Sequence, residues 1–284
     1  MQTEHHFPGH QVALTHLKQR PDRRQGVHPA ALLAVAMLGM GLSACQPLSP
    51  HLPAAASHAG LSTDPAPADP LRSPHYANFA GSTASNDVRF IANWVLDSGD
   101  NRQMSFVIID KKNTRVFVFN PAGKLLGSTL ALLGAAKGDD SAPGIGTRPL
   151  ADVRAEEKTT PAGRFVAEPG RNASGEDIVW VDYDAAVSMH RVRTANPKER
   201  RLERLASSTS ADNRISFGCI NMPAAFYENV LSPQFNARYG VVYVLPDVKR
   251  TSEVFADAYD PAARLRAAIS VRRADASAKT RTRL

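Results

Sequence analysis

The sequence predicts a mainly β (α+β) fold, a sandwich or barrel of mixed strands with a few short helices. Three observations lead there. Apolar residues recur with period two between short turn signals over 106–132. Further strand-like runs follow as "RFVAE", "DIVWVDY", "AVSMHRV" and "YGVVYVLPD". Helical spacing is confined to 86–98, to 223–231 and to scattered propensity near the C-terminus.

The chain has 284 residues, 43% of them hydrophobic, slightly low for a wholly packed chain. Residues 1–45 read as an export signal. Arg20, Arg23 and Arg24 precede the apolar run "AALLAVAMLGMGLSAC", too short to span a bilayer and rich in small residues. "LSAC" at 42–45 resembles a bacterial lipobox, which implies lipidation of Cys45 and a mature N-terminus there. Gln46 after that cysteine, by resemblance to Gram-negative lipoproteins, implies a periplasmic protein anchored to the outer membrane. An ordinary signal peptide with a chance cysteine is the alternative. Residues 46–85 are rich in Pro, Ala, Ser and His and read as an extended tether.

A folded domain is expected over 86–248. Val88, Ile91, Ala92 and Val95 define one apolar helical face, with Asn86 as a possible cap and Gly99 as the stop. Strands near 106–109, 116–119 and 125–132 form a meander with turns at 111–113 and 121–123. The Gly- and Pro-rich stretch 134–160 reads as a long loop, a feature that tends to be functional. A polar, basic insertion occupies 193–214. Pro223 suits the first turn of a helix whose packed side carries Phe226, Val230 and Leu231.

The formal charge is +7. Residues 248–284 contain nine Lys/Arg against four Asp/Glu, so the excess lies mostly in the tail. That tail, 249–284, reads as basic and flexible, and no nucleic-acid partner is expected.

Cys219 and Cys45 are the two cysteines. With Cys45 lipidated, Cys219 has no disulfide partner in an oxidising compartment. A lone cysteine is as often a buried inert thiol as a nucleophile, so its neighbours decide. Gly218 allows close backbone approach, and the N–H groups of Gly218 and Cys219 could form an oxyanion hole. A helix opening at Pro223 would favour the thiolate. His190 is the only histidine after His75, and a cysteine nucleophile needs such a base.

"SFGCIN" at 216–221, with His190 upstream, resembles the active-site motif of the L,D-transpeptidase (YkuD-like) family. "TTPAGRF" at 159–165 resembles that family's Thr-Pro-x-Gly-x-Phe stretch, and the first hairpin is similar as well. The resemblance covers about 105–247. Phe217 departs from it, standing where the family has a second histidine, and the His190–Ser216 spacing is longer than usual.

The resemblance implies a family-like fold and a peptidoglycan acyltransferase. Cys219 would be the nucleophile, His190 the base and then the acid, and Ser216 a group orienting His190 through its carbonyl. Asn221, Phe217, Thr160 and Gly163 would contribute to substrate binding, with Phe217 as an apolar wall. The partners implied are peptidoglycan stem peptides, a wall-attached protein as one acceptor, and the membrane through the lipid anchor. No cofactor and no metal is implied. A hydrolase with the same site (L,D-carboxypeptidase or amidase) and a non-catalytic wall-binding lipoprotein are the alternatives.

Overall fold

The structure, a computed structural model, describes residues 69–236 and 238–281. The export signal, Cys45 and most of the tether therefore lie outside the described residues.

Helix α1 (Asn86–Ser98) forms because Val88, Ile91, Ala92 and Val95 repeat on one face, all fully buried. Its cap is Ser85, one residue before the expected Asn86, with Ser85 Oγ accepting from Val88 N at 3.3 Å. Gly99 ends it in the left-handed region at φ 74°, where a side chain would be strained.

The strands are β1 (Phe106–Asp110), β2 (Arg115–Phe119), β3 (Leu125–Leu130), β4 (Leu133–Gly134), β5 (Gly163–Arg171), β6 (Asp177–Asp182), β7 (Val187–Arg191), β8 (Arg214–Ser216), β9 (Ile220–Met222) and β10 (Gly240–Val244). Eight of them build one mixed sheet in the order β3-β2-β1-β10-β5-β6-β7-β9, and β4 pairs with β8. The β1–β10 and β7–β9 contacts are parallel. Leu132, just past edge strand β3, exchanges two backbone hydrogen bonds with Asn221 of the opposite edge strand β9, at 2.8 and 2.9 Å. That bridge nearly closes the sheet, and the mainly β expectation holds.

Alternation along the strands divides the core. Val107, Ile109, Val116, Val118, Val242 and Val244 point into an aliphatic interior shared with Met189 and Ile220. Phe106, Ile108, Phe117, Phe119 and Tyr243 face α1. Phe106 and Phe119 stack at 4.7 Å, and Trp94 meets Tyr243 edge-on at 6.1 Å. Each such large side chain contributes about 1.5–3 kcal/mol by leaving water.

Both expected boundaries shift. The folded part begins near residue 70, not 86. Arg72 pairs with buried Asp97 at 2.7 Å, Ala77 N donates to Asn93 Oδ1 at 3.0 Å, and Phe79 is buried. The tail expected to be flexible is instead helical. It forms α5 (Thr251–Val254) and α6 (Pro261–Arg281). Phe255 enters the aromatic core, and Arg264 pairs with Asp97 at 2.9 Å. One buried carboxylate thus holds both ends of the domain.

The segment expected as one helix after Pro223 has three parts. These are α3 (Ala224–Phe226), a wider π turn (Tyr227–Leu231) and α4 (Ser232–Phe235). Within the insertion lies α2 (Arg201–Ala206).

Candidate active site

Parallel pairing of β7 with β9 sets His190 opposite Asn221 and Met189 opposite Ile220. Cys219, immediately before β9, therefore arrives beside His190. The two side chains are close enough for each to shift the other's protonation, while Sγ lies 3.6 Å from both Ser188 Oγ and the Ala186 carbonyl. His190 Nδ1 lies 2.7 Å from the Arg191 carbonyl, which can only accept. Nδ1 therefore carries a proton, and Nε2 is left for the thiol. The carbonyl holding the ring is that of Arg191, not the expected Ser216. The Ser216 carbonyl accepts instead from Ala135 N at 2.9 Å.

Burial pushes the Cys219 thiol up. The hydrogen bond and charge of His190, with Ser188, outweigh it and bring the thiol from 9.0 to about 7. For His190, burial pushes down and the Cys219 contact more than restores it, leaving the imidazole raised. Shifts in opposite directions are what a thiol and an imidazole produce when each favours the other's charged form. The helix expected to help does not follow directly, because strand β9 intervenes before α3. The low thiol pKa comes from His190 and Ser188, whose Oγ lies 3.6 Å from Sγ.

The turn bearing Cys219 is braced from several sides. Ser216 Oγ donates to the Cys219 carbonyl at 2.7 Å and accepts from Gly218 N at 3.1 Å. The Gly218 N–H is thereby engaged, which leaves Cys219 N–H as the donor of the expected oxyanion pair. Gly218 sits at φ 139°, and a Cβ there would meet the Thr159 carbonyl at 2.7 Å, so glycine is required. Thr160 Oγ1 donates to the Gly218 carbonyl at 2.8 Å and accepts from Gly134 N at 2.9 Å. Thr160 is fully buried and acts beneath the turn, not on a substrate. Gly163 opens β5 opposite Val244 and does not line the cleft. Asn221 is 1% exposed, its amide donating to the Cys219 carbonyl at 3.2 Å and accepting from Arg201 at 2.9 Å. It braces the turn as well.

Cys219 and His190 open into a cleft of about 290 Å³. Ile145, Leu150 and Val153 of the 134–160 loop give it one apolar wall, with Trp180 and Phe217. Phe217 is 39% exposed at the rim, with Lys158 Nζ 4.2 Å above its ring. Phe217 thus lines the same cleft as Ile145, Leu150 and Val153 of the long loop.

Behind the site lies a buried charge network. Lys111, fully buried, donates to Asp139 at 2.8 Å and to the Gly138 and Thr160 carbonyls at 2.6 and 2.7 Å. Arg214, opening β8, holds Asp247 at 2.6 Å and the Lys111 carbonyl at 2.7 Å. Burial raises the Asp139 carboxyl, but Lys111 and the N–H groups of residues 247–249 outweigh it and hold it at about 2. The network ties the start of the loop to the motif strand.

Sequence reasoning missed Ser188, Arg201 and Lys111. Ser188 had a weak signal, being two residues before His190 and so on the same strand face. Arg201 and Lys111 reach the site only through distant contacts and gave none. Among the described residues, no three His, Cys, Asp or Glu side chains cluster closely enough to hold a metal ion.

No protein-family model and no curated protein matches the chain. Over 50% of its length it is similar to the catalytic domain of an E. faecium L,D-transpeptidase solved by NMR, at 16% identity and TM-score 0.27, covering 98% of that chain. It is similar to an L,D-transpeptidase from Xylanimonas cellulosilytica at 16% identity and TM-score 0.31, covering 50% of this chain and 60% of that one. It is also similar to the LD transpeptidase LdtMt1 in complex with imipenem at 16% identity and TM-score 0.27, with 50% and 58% covered.

Proposed function

We propose that this protein is a cysteine acyltransferase acting on peptide stems of peptidoglycan. The observation that carries it is the Cys219–His190 pair, with a thiol near 7, opening into an apolar cleft. The order of its two sequence motifs supports the substrate class.

The Cys219 thiolate attacks the carbonyl carbon of the amide between a diamino acid and a terminal D-alanine. The oxyanion forms within reach of Cys219 N–H. His190 gives its Nε2 proton to the departing amine, and a thioester remains. A second stem's side-chain amine then attacks the thioester, its proton passes to His190, and the thiolate leaves as the new amide forms. The apolar wall of Phe217, Leu150 and Val153 lowers water's access to the thioester, which favours an amine acceptor over hydrolysis. A wall-attached protein could supply that amine in the same chemistry. Anchoring through Cys45 at the outer membrane would place the site facing the wall.

Incubating the soluble domain with purified sacculi tests this. The expected products are 3→3 linked dimers. Tripeptides alone would make the protein a hydrolase, and unchanged sacculi would contradict the function.

A further inference from the structure

The carbonyl that holds the His190 ring must itself be held. It belongs to Arg191, the last residue of β7, paired with Met222 of β9. Val192 N still donates to the Met222 carbonyl at 2.8 Å, and the basic insertion begins one residue later. Side chains alternate along a strand, so the Arg191 guanidinium leaves from the face opposite the imidazole. Two other elements converge on it. Asp177, opening β6, accepts from Nη1 through Oδ1 at 3.0 Å and through its carbonyl at 3.3 Å, and from Nη2 through Oδ2 at 3.4 Å. Glu228 accepts from Nε at 2.9 Å. The guanidinium carbon lies 4.4 Å from the centroid of the Tyr227 ring. Tyr227 and Glu228 both belong to the π turn, a local widening frequent at functional sites. A planar fork paired along its edges and stacked on a ring is fixed in one orientation.

We propose that the Arg191 side chain is a positioning residue for the base. Clamped to β6 and to the π turn, it fixes the carbonyl that holds His190 Nδ1 and so keeps Nε2 available to Cys219. This rests on the Cys219–His190 pair of the reading above and not on any substrate. Besides burial, the groups that act on the protonation of His190 are Cys219, the Arg191 carbonyl and Arg201. The Arg191 side chain is not among them, so its part is geometric. Asp177 and Glu228 are half exposed, so these ion pairs add little to global stability. The clamp's signature is therefore a change at the thiol without a matching change in unfolding.

The test uses the full chain in a Cys45→Ser background, which leaves Cys219 as its one thiol. Iodoacetamide alkylation is followed against pH, beside thermal unfolding, in Arg191→Met and Arg191→Lys. Methionine removes the fork and the charge, whereas lysine removes the fork alone. Both variants should alkylate about 3- to 10-fold more slowly at pH 7, the factor that one net hydrogen bond carries. Their pH midpoints should move upward, with thermal unfolding nearly unchanged. Asp177→Asn, which loosens the clamp from outside the strand, should move the midpoint in the same direction. An unmoved midpoint in both Arg191 variants overturns the inference. Rescue by Arg191→Lys overturns it too, because charge alone would then suffice. Equal slowing at every pH also overturns it, since that is the mark of a general loosening. Alkylation needs no peptide, so a wild type that alkylates but never acylates sinks the acyl-transfer reading and leaves this test standing.

Discussion

The two halves of the sheet are built differently. Strands β1 and β10 are buried at every position and β2 at four of five, because both of their faces meet apolar residues. Strand β5 is buried at only one of nine positions, and β7 gives up burial at His190 and Arg191. The first half is held by packing along β2, β1 and β10, while its edge strand β3 is buried at one of six positions. The second holds the proposed site; β6 and β9 are packed as well, but polar ties from outside the sheet are added there: Lys111–Asp139, Arg214–Asp247, Thr160–Gly218 and Asn221–Arg201. A nucleophile must be reachable, so its surroundings cannot be wholly apolar, and hydrogen bonds replace packing in fixing its position.

Removing the base should separate the halves most sharply. His190→Ala should slow acylation about 10²- to 10⁴-fold while leaving thermal unfolding nearly unchanged. The pH profile supplies the cause. Wild-type alkylation by iodoacetamide should rise through about pH 7, where Cys219 ionises. In His190→Ala the rise should move to higher pH, because burial then acts on the thiol without the imidazolium. An unmoved profile would mean that His190 does not set the thiolate.

Next comes the junction between the halves. Lys111→Met leaves buried carboxylate charge unpaired and should cost about 3–5 kcal/mol in denaturant unfolding. Its pH signature follows from Asp139. A carboxyl held at about 2 contributes stability that is present above its ordinary 3.8 and is lost as pH falls toward 2. Without Lys111 the carboxyl rises, and acid unfolding should begin at higher pH. Circular dichroism across an acid titration reads the shift, and superimposable acid transitions would contradict it.

Ile108→Ala, in the packed half, should cost about 2–5 kcal/mol by opening a cavity against α1. Acylation per folded molecule should stay the same. A fall in that rate would show that the packed half also positions the site. Phe217→His should matter least. It removes a rim contact with Lys158 worth about 0.5–1 kcal/mol at an exposed position. Acylation should stay within about tenfold, with a larger hydrolysed share of product.

The packed half was the more legible in the sequence. Its alternation is local, so α1, the β1–β3 meander and β10 follow from short windows, and Gly99 marks a stop by its own backbone requirement. Cys219 and His190 were legible because a lone cysteine after a glycine and a solitary histidine are rare residues in a recognisable pattern. Their supports were not. Arg214 meets the Lys111 carbonyl across 103 positions, and Lys111 meets Thr160 across 49. Long-range polar contacts leave no period. The docking of the tail's first part was missed because its ties, Arg264 with Asp97 and Phe255 in the aromatic core among them, do not change composition.

The most direct measurement is the intact mass of the folded domain after brief exposure to a tetrapeptide stem ending in D-alanine. The account predicts an added mass equal to the peptide acyl group without D-alanine, located on Cys219 by peptide mapping, absent from Cys219→Ala and scarce in His190→Ala. A protein that alkylates readily at Cys219 yet gains no such mass, or gains it at another residue, would contradict the assignment of this pair as the acyl-transfer site.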